Sequence, residues 1–71
     1  MDSAKLVTMA NQIAGFFAAQ RGDAAAAVAD HIAKNWDPRM RAGLAEHLAA
    51  GGAGLDPVAR RAAEIVTSKS A

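Results

Sequence analysis

Few side chains in this sequence are of a type that carries out chemistry. The chain has two histidines, His31 and His47, and no cysteine, which excludes disulfides and thiolate metal sites. The histidines do not fall in a metal-binding spacing such as His-x-x-x-His. Asp30 adjoins His31, but neighbouring residues of a helix point about 100° apart, so the carboxylate does not orient the imidazole. The sequence therefore predicts two surface or half-buried histidines and no metal site.

Nucleophilic and phosphate-binding chemistry finds no support either. The hydroxyl side chains lie at helix ends or at outward positions, with no base beside them. The glycine-rich run 51–54 lacks the Lys and Ser/Thr of a phosphate-binding loop, and no strand precedes it. We therefore predict no catalytic and no cofactor-binding residue. This indicates a protein that is not an enzyme and holds no cofactor of its own.

The segment 36–41 (Trp-Asp-Pro-Arg-Met-Arg) is more informative. Its two arginines lie in the first turn of a helix, where cations oppose the helix dipole at a cost of about 0.3–1 kcal/mol each. One interpretation is that Trp36 anchors the core and the arginines pair locally, for example with Asp37. The other is that Trp36, Arg39 and Met40 form a binding hot spot, because Trp and Arg are enriched at such sites.

Periodicity and helix-start signals predict an all-α fold, a compact array of four short helices. Apolar residues recur at helical spacing, and no segment shows the alternation of a strand. Asp23 and the Asp-Pro pairs at 37–38 and 56–57 mark helix starts, and Ser3 or Asp2 begins the first helix. The predicted helices span about 3–21, 24–36, 38–50 and 57–67.

These helices are expected to form one small domain over 1–67, followed by a frayed tail at 68–71. The glycine run 51–54 is expected to be a flexible loop. The predicted inward stripes comprise Leu6, Met9, Ala10, Ile13 and Phe17; Ala25, Val28, Ala29, Ile32 and Trp36; Met40, Leu44 and Leu48; and Val58, Ala62, Ile65 and Val66. Phe16 lies at the edge of the first stripe.

The chain can build a smaller hydrophobic core than its percentage of hydrophobic residues suggests. Hydrophobic residues make up 52% of the 71 residues, but twenty of them are Ala and only about sixteen internal positions carry a large apolar side chain. A chain of this size hides only about 60% of the surface that its unfolded form exposes. A partner that covers apolar surface would stabilise it, so the sequence suggests a subunit.

Charge and hydropathy limit the partners. Eight Lys/Arg against seven Asp/Glu give a net charge of +1, which is too balanced for a general nucleic-acid binder. The uncharged run 6–20 follows a lysine, as in a signal peptide. However, the polar residues Asn11 and Gln12 interrupt its apolar stretch, and Asp2 places a negative charge where a signal peptide has a basic leader. The run is also too short to span a bilayer. We predict no nucleic-acid and no membrane partner.

Several short segments, taken in order and spacing, resemble a known family: 5–7, 9–13, 16–17, 28–32 and 36–41. Together they are similar to the delta subunit of the cytoplasmic, molybdenum-containing, NAD-dependent formate dehydrogenases, over roughly 5–57. The resemblance implies a cytoplasmic, cofactor-free subunit that binds a large alpha subunit and aids assembly or stability of the active complex. It places the molybdopterin centre and iron–sulfur clusters in alpha, and the flavin and the transfer to NAD in other subunits.

The residues that we predict to bind the partner are Asn11, Gln12, His31, Trp36, Arg39, Met40 and Arg41. Two other classes of function stay open at this point. One is a homo-oligomeric helical module that buries its Ala-rich faces on itself when isolated. The other is a nucleic-acid-binding domain that uses the third helix, with Arg39 and Arg41, for recognition. The near-zero net charge speaks against the second.

Overall fold

Four α-helices make up the described part of the chain. A computed structural model describes residues 2–20 and 22–69. The helices are α1 (Ser3–Ala18), α2 (Ala24–Asn35), α3 (Pro38–Ala49) and α4 (Pro57–Lys69). The described residues contain no strand. The predicted all-α class and its four helices are confirmed.

Aspartates set the starts of the first three helices. The carboxylates of Asp2, Asp23 and Asp37 accept hydrogen bonds from backbone N–H groups two or three residues further on, at 3.0, 3.1 and 2.8 Å. Asp2, and not Ser3, therefore caps α1. Pro38 holds the first position of α3, where its missing N–H costs nothing.

The helix ends differ from the predicted ones by up to three residues. α1 ends earlier than predicted, because the N–H of Gln20 bonds to the carbonyl of Phe17 at 3.0 Å and closes the chain in a turn. α4 extends through Lys69. The predicted fraying of the remaining tail falls on residues 70–71, and the predicted end of the first helix on residue 21; all three lie outside the described residues.

Alanine fills half of the core. Fourteen apolar residues of the described chain are buried, and seven of them are Ala. The larger buried residues are Leu6, Val28, Ile32, Trp36, Leu44, Leu55 and Val66. α2 and α4 share the most extensive helix–helix contact, and their buried alanines let the two backbones approach closely.

The inward stripe of α2 is buried along its whole predicted length, from Ala25 to Trp36. The buried line of α1 differs from the prediction. Ala14 is buried, whereas Ile13 and Phe17 only pack at the margin of the core. In α4, alanines that the pattern did not single out are buried as well, and Val58 and Ile65 lie at the margin. Alanine gives a weak periodic signal, so the predicted stripes of α1 and α4 are rotated relative to the lines of residues that these helices bury.

α1 and α3 meet at a glycine. A Cβ added to Gly43 would lie 2.7 Å from Cδ1 of Leu6, which is closer than packed carbon atoms allow. The missing side chain of Gly43 therefore leaves the space in which Leu6 is fully buried.

The loop between α3 and α4 is held by side chains from three helices. Asn11 of α1 donates from Nδ2 to the carbonyl of Gly54 and accepts from the N–H of Asp56, both at 2.9 Å. Nε2 of His47 lies 2.7 Å from the carbonyl oxygen of Ala53. The side chains thus fix a backbone that the sequence predicted to be flexible, and Asn11 reaches it across 43 positions of the chain.

Arg60 of α4 completes the attachment. Its Nη2 donates to the carbonyls of Gly51 and Gly52, at 2.9 and 3.0 Å. The N–H groups of these glycines bond back to the carbonyls of Leu48 and His47, at 3.0 and 2.9 Å, which is the Schellman arrangement of a helix end. The four backbone oxygens of residues 51–54 therefore all have polar partners within the chain.

Candidate docking surfaces

Trp36 lies in the core at the junction of α2 and α3. Its side chain is only 5% exposed. Its backbone N–H bonds to the carbonyl of Ile32 at 2.9 Å, and its extended backbone turns the chain out of α2. The indole therefore supports the junction from within, and the surface there is made by the residues that follow.

The first turn of α3 carries what we call the arginine surface, made of Arg39, Met40 and Arg41. Arg39 is exposed, while Met40 and Arg41 are half-buried. The carboxylate of Asp37 accepts from the N–H of Met40 at 2.8 Å. Neither arginine forms an ion pair with a carboxylate of the described residues, and so the predicted local pair with Asp37 is not formed.

Arg41 has a further peculiarity. Its Nε is buried and has no hydrogen-bond partner within residues 2–20 and 22–69. A buried donor without an acceptor costs about 1–3 kcal/mol, and more when the group is charged. The guanidinium of Arg41 is thus partly removed from water without the acceptor that would offset that loss.

A second surface lies between α1 and α2. We call it the aromatic groove; it has a volume of about 320 Å³ and is lined by Gln12, Ile13, Phe16, Phe17 and His31. Phe16 is 65% exposed. Its ring meets that of Phe17 edge to face, with centroids 5.2 Å apart, and Phe17 in turn lies 6.1 Å from the ring of His31. The three rings form a continuous aromatic wall.

The described residues around the aromatic groove carry no net charge. The chain has no charged residue from 6 to 20. On α2, Asp30 and Lys34 form an ion pair at 3.1 Å on the exposed side, as their i, i+4 spacing predicted. The side-chain amide of Asn35 donates from Nδ2 to the backbone carbonyl of His31 at 2.9 Å, and the same Nδ2 lies 3.5 Å from Nδ1 of His31. Among residues 2–20 and 22–69, the groups that border the groove are neutral ones and this compensated pair.

Within the described ranges, no three His, Asp or Glu side chains come together as a metal site, and the sequence has no cysteine. None of the helices described has the length and apolar character needed to cross a membrane.

The comparison with known families decides the identity. Residues 5–63 match the model of the NADH-dependent formate dehydrogenase delta subunit, FdsD. The chain belongs to this family. The resemblance drawn from the sequence is confirmed, and the delta subunit is a member of a formate dehydrogenase complex, so that it partners with other subunits. Comparison with the curated proteins finds no match.

The predicted docking residues of the delta subunit lie on two surfaces and, in two cases, inside the fold. Gln12 and His31 line the aromatic groove, and Arg39, Met40 and Arg41 make the arginine surface. Asn11 and Trp36 are engaged inside the fold, in the α3–α4 loop and the core.

Sequence reasoning missed three residues of the groove: Ile13, Phe16 and Phe17. Ile13 and Phe17 were assigned to the inward stripe, and Phe16 to its edge. One signal could have found them. Two adjacent aromatic residues on a helix point about 100° apart, so Phe16 and Phe17 cannot both be fully buried in one narrow stripe.

Proposed function

We propose that this delta subunit is a non-catalytic accessory subunit that binds the alpha subunit of formate dehydrogenase and supports assembly or stability of the complex. The observation that carries the proposal is the arginine surface: Arg39 and Arg41 have no carboxylate partner among the described residues. In a chain that belongs to a subunit family, such groups are suited to a partner's acidic side chains.

The energetics of the first turn of α3 support this docking site. Both arginines lie where the helix dipole disfavours cations, and Nε of Arg41 is buried without an acceptor. Carboxylates of a partner would offset the unfavourable position of the two cations, because each can accept two parallel N–H bonds from the outer nitrogens of a guanidinium. Met40, half-buried beside them, adds apolar contact area.

The proposal places the cofactors in other subunits. The molybdopterin centre, iron–sulfur clusters, flavin and NAD site belong to the rest of the complex, and this chain contributes contact and no reacting group. Its lack of cysteine and of clustered metal-binding side chains in the described residues supports that division. The subunit acts in the cytoplasm and does not bind nucleic acid.

The docking site is tested by co-purification. A tagged subunit carrying Arg39→Ala and Arg41→Ala is co-expressed with the other subunits, and the recovered alpha subunit is quantified. We expect at least a tenfold loss. Arg61→Ala is the matched control, since Arg61 has only a 3.4 Å exposed contact with Glu64. Equal recovery of alpha by the double variant, with its helical circular dichroism intact, would remove the arginine surface from the interface.

The assembly role is tested in a strain that lacks the subunit. We expect lower formate dehydrogenase activity and lower molybdenum content per alpha subunit, restored by the wild-type gene and not by the double arginine variant. Full specific activity with normal molybdenum content in the deletion strain would contradict a role in assembly or stability.

A further inference from the structure

We infer that the aromatic groove binds an uncharged, amphipathic helix of the alpha subunit, with Phe16 as the anchor of the contact. The inference rests on the proposed function, because it requires a partner subunit that binds this chain. It concerns a surface on α1 and α2, whereas the arginine surface lies at the start of α3.

The anchor is exposed and held in place. Phe16 is 65% exposed, and the edge-to-face contact with Phe17, at an interplanar angle of 84°, restricts its ring. A side chain that is already ordered loses little conformational freedom when a partner covers it. Phe16 therefore has the two properties of an interface anchor, a large apolar area and a low ordering cost.

The charge around the groove selects the chemistry of its occupant. No charged residue occurs from 6 to 20, and Asp30 and Lys34 compensate each other on α2. A charged segment placed here would lose its hydration without meeting an opposite charge. An apolar segment with neutral flanks meets no such penalty. The matching surface is thus uncharged.

The shape favours a helix over a strand or a small ligand. The described residues offer no strand edge to which an extended peptide could add. The groove, at about 320 Å³, is at the lower limit of ligand pockets and is too small to enclose a cofactor-sized molecule. Next to Phe16, Gly15 is exposed and has no atom within 4 Å of its would-be Cβ, so a partner backbone can approach α1 closely there.

Two polar groups can set the register of the bound helix. Gln12 lies exposed at the rim of the groove, and Nε2 of His31 has no hydrogen-bond partner among the described residues. Interfaces commonly surround an apolar centre with such groups. The groove thus has an apolar centre and a neutral polar rim.

The test uses the tagged subunit co-expressed with the whole complex, and measures recovered alpha subunit per delta subunit. We expect Phe16→Ala to lower recovery about thirty-fold, the effect of removing an interface hot spot. Phe16→Leu keeps apolar bulk and should retain most of the binding. Gln12→Lys and Gln12→Glu should each weaken binding at least tenfold, because either charge is desolvated. Ser68→Lys, an exposed charge change on α4, should have no effect.

The outcomes separate this inference from the proposed function. If the wild-type subunit recovers no partner at all, the proposed function fails. If the wild type binds and Phe16→Ala binds equally well, the groove inference alone is overturned. Tight binding by Gln12→Glu together with loss in Gln12→Lys would show a basic occupant and overturn the uncharged one. A dimer of the isolated subunit that Phe16→Ala dissociates would show that a second copy fills the groove.

Discussion

The arginines near the two ends of α3 differ in whether their guanidinium groups have hydrogen-bond partners within the described chain. At its C-terminal end, the half-buried Arg60 of α4 donates to the carbonyls of Gly51 and Gly52. At its N-terminal end, the equally half-buried Arg41 keeps a buried Nε without a partner in the described chain. The same residue type is thus internally satisfied at one end and unsatisfied at the other. The difference separates a region that maintains the fold from one that we propose to be completed by a partner.

Among the substitutions that test this difference, the largest change in stability is expected at Gly52. Its φ of +65° disfavours alanine by about 1–2 kcal/mol, and a Cβ there would lie 2.9 Å from Nη1 of Arg60. Displacing the guanidinium also breaks its two hydrogen bonds. We expect Gly52→Ala to destabilise the subunit by about 2–4 kcal/mol, measured by urea unfolding.

Gly15→Ala is the matched control, the same change in the interior of a helix with open space around it. It should stabilise by about 0.5–1 kcal/mol, because glycine is a poor helix residue. A Gly52→Ala variant as stable as the wild type would show that Arg60 does not hold the loop.

Asn11 should have the next largest effect. Asn11→Ala leaves the carbonyl of Gly54 and the N–H of Asp56 without their partner, so we expect a loss of about 1–3 kcal/mol in thermal or urea unfolding. Gln12→Ala, the adjacent exposed residue, should change stability by less than about 0.5 kcal/mol. Equal effects of the two substitutions would contradict the role of Asn11 in fixing the loop.

At the N-terminal end of α3, a substitution should raise the stability of the subunit instead of lowering it. Arg39→Gln removes an exposed cation from the start of a helix, and should stabilise the isolated subunit by about 0.3–1 kcal/mol. That corresponds to a rise of roughly 1–8 °C in Tm for a chain of this size. Arg60→Gln, by contrast, should lower Tm. If Arg39→Gln lowers Tm as well, an internal partner of Arg39 has to be sought.

The smallest effect is expected on the exposed side of α2. Asp30→Asn breaks an ion pair whose side chains are 62–71% exposed, so the loss should be only about 0.2–0.5 kcal/mol and should vanish in high salt. Partner recovery should not change, since the pair borders the groove without entering it. A large drop in recovery would place this pair inside the interface.

Local signals were sufficient to predict the helices. Aspartate caps and the Asp-Pro pair before α3 act within a few residues, so they can be read directly from the sequence. All residues of the predicted inward stripe of α2 are buried, because Val28, Ile32 and Trp36 give a strong helical period. The rotation of α1 and α4 could not be predicted, since buried alanines such as Ala14 and Ala63 are indistinguishable from exposed ones without tertiary structure.

The docking surfaces were predictable only in part. The residues of the arginine surface are contiguous in sequence, so the unfavourable position of its two cations at the start of a helix could be read from the sequence. The aromatic groove joins Gln12 with His31 across two helices, and the pattern gave no reason to pair them. Asn11 was predicted to bind a partner, and its role in the fold could not be seen because the groups it contacts lie 43 and 45 residues away. Contacts that depend on how helices are arranged are absent from single-sequence periodicity.

The alanine-filled interior has a consequence for how much of this subunit a cell retains. Each buried alanine contributes only about one methyl group, so the free chain has little stabilisation in excess of its ordering cost. Binding at one hundred times the dissociation constant would add about 2.7 kcal/mol. Surplus copies would therefore unfold more often and be cleared by proteases, while bound copies would persist. Its abundance would follow the supply of its partner subunits without any dedicated regulator.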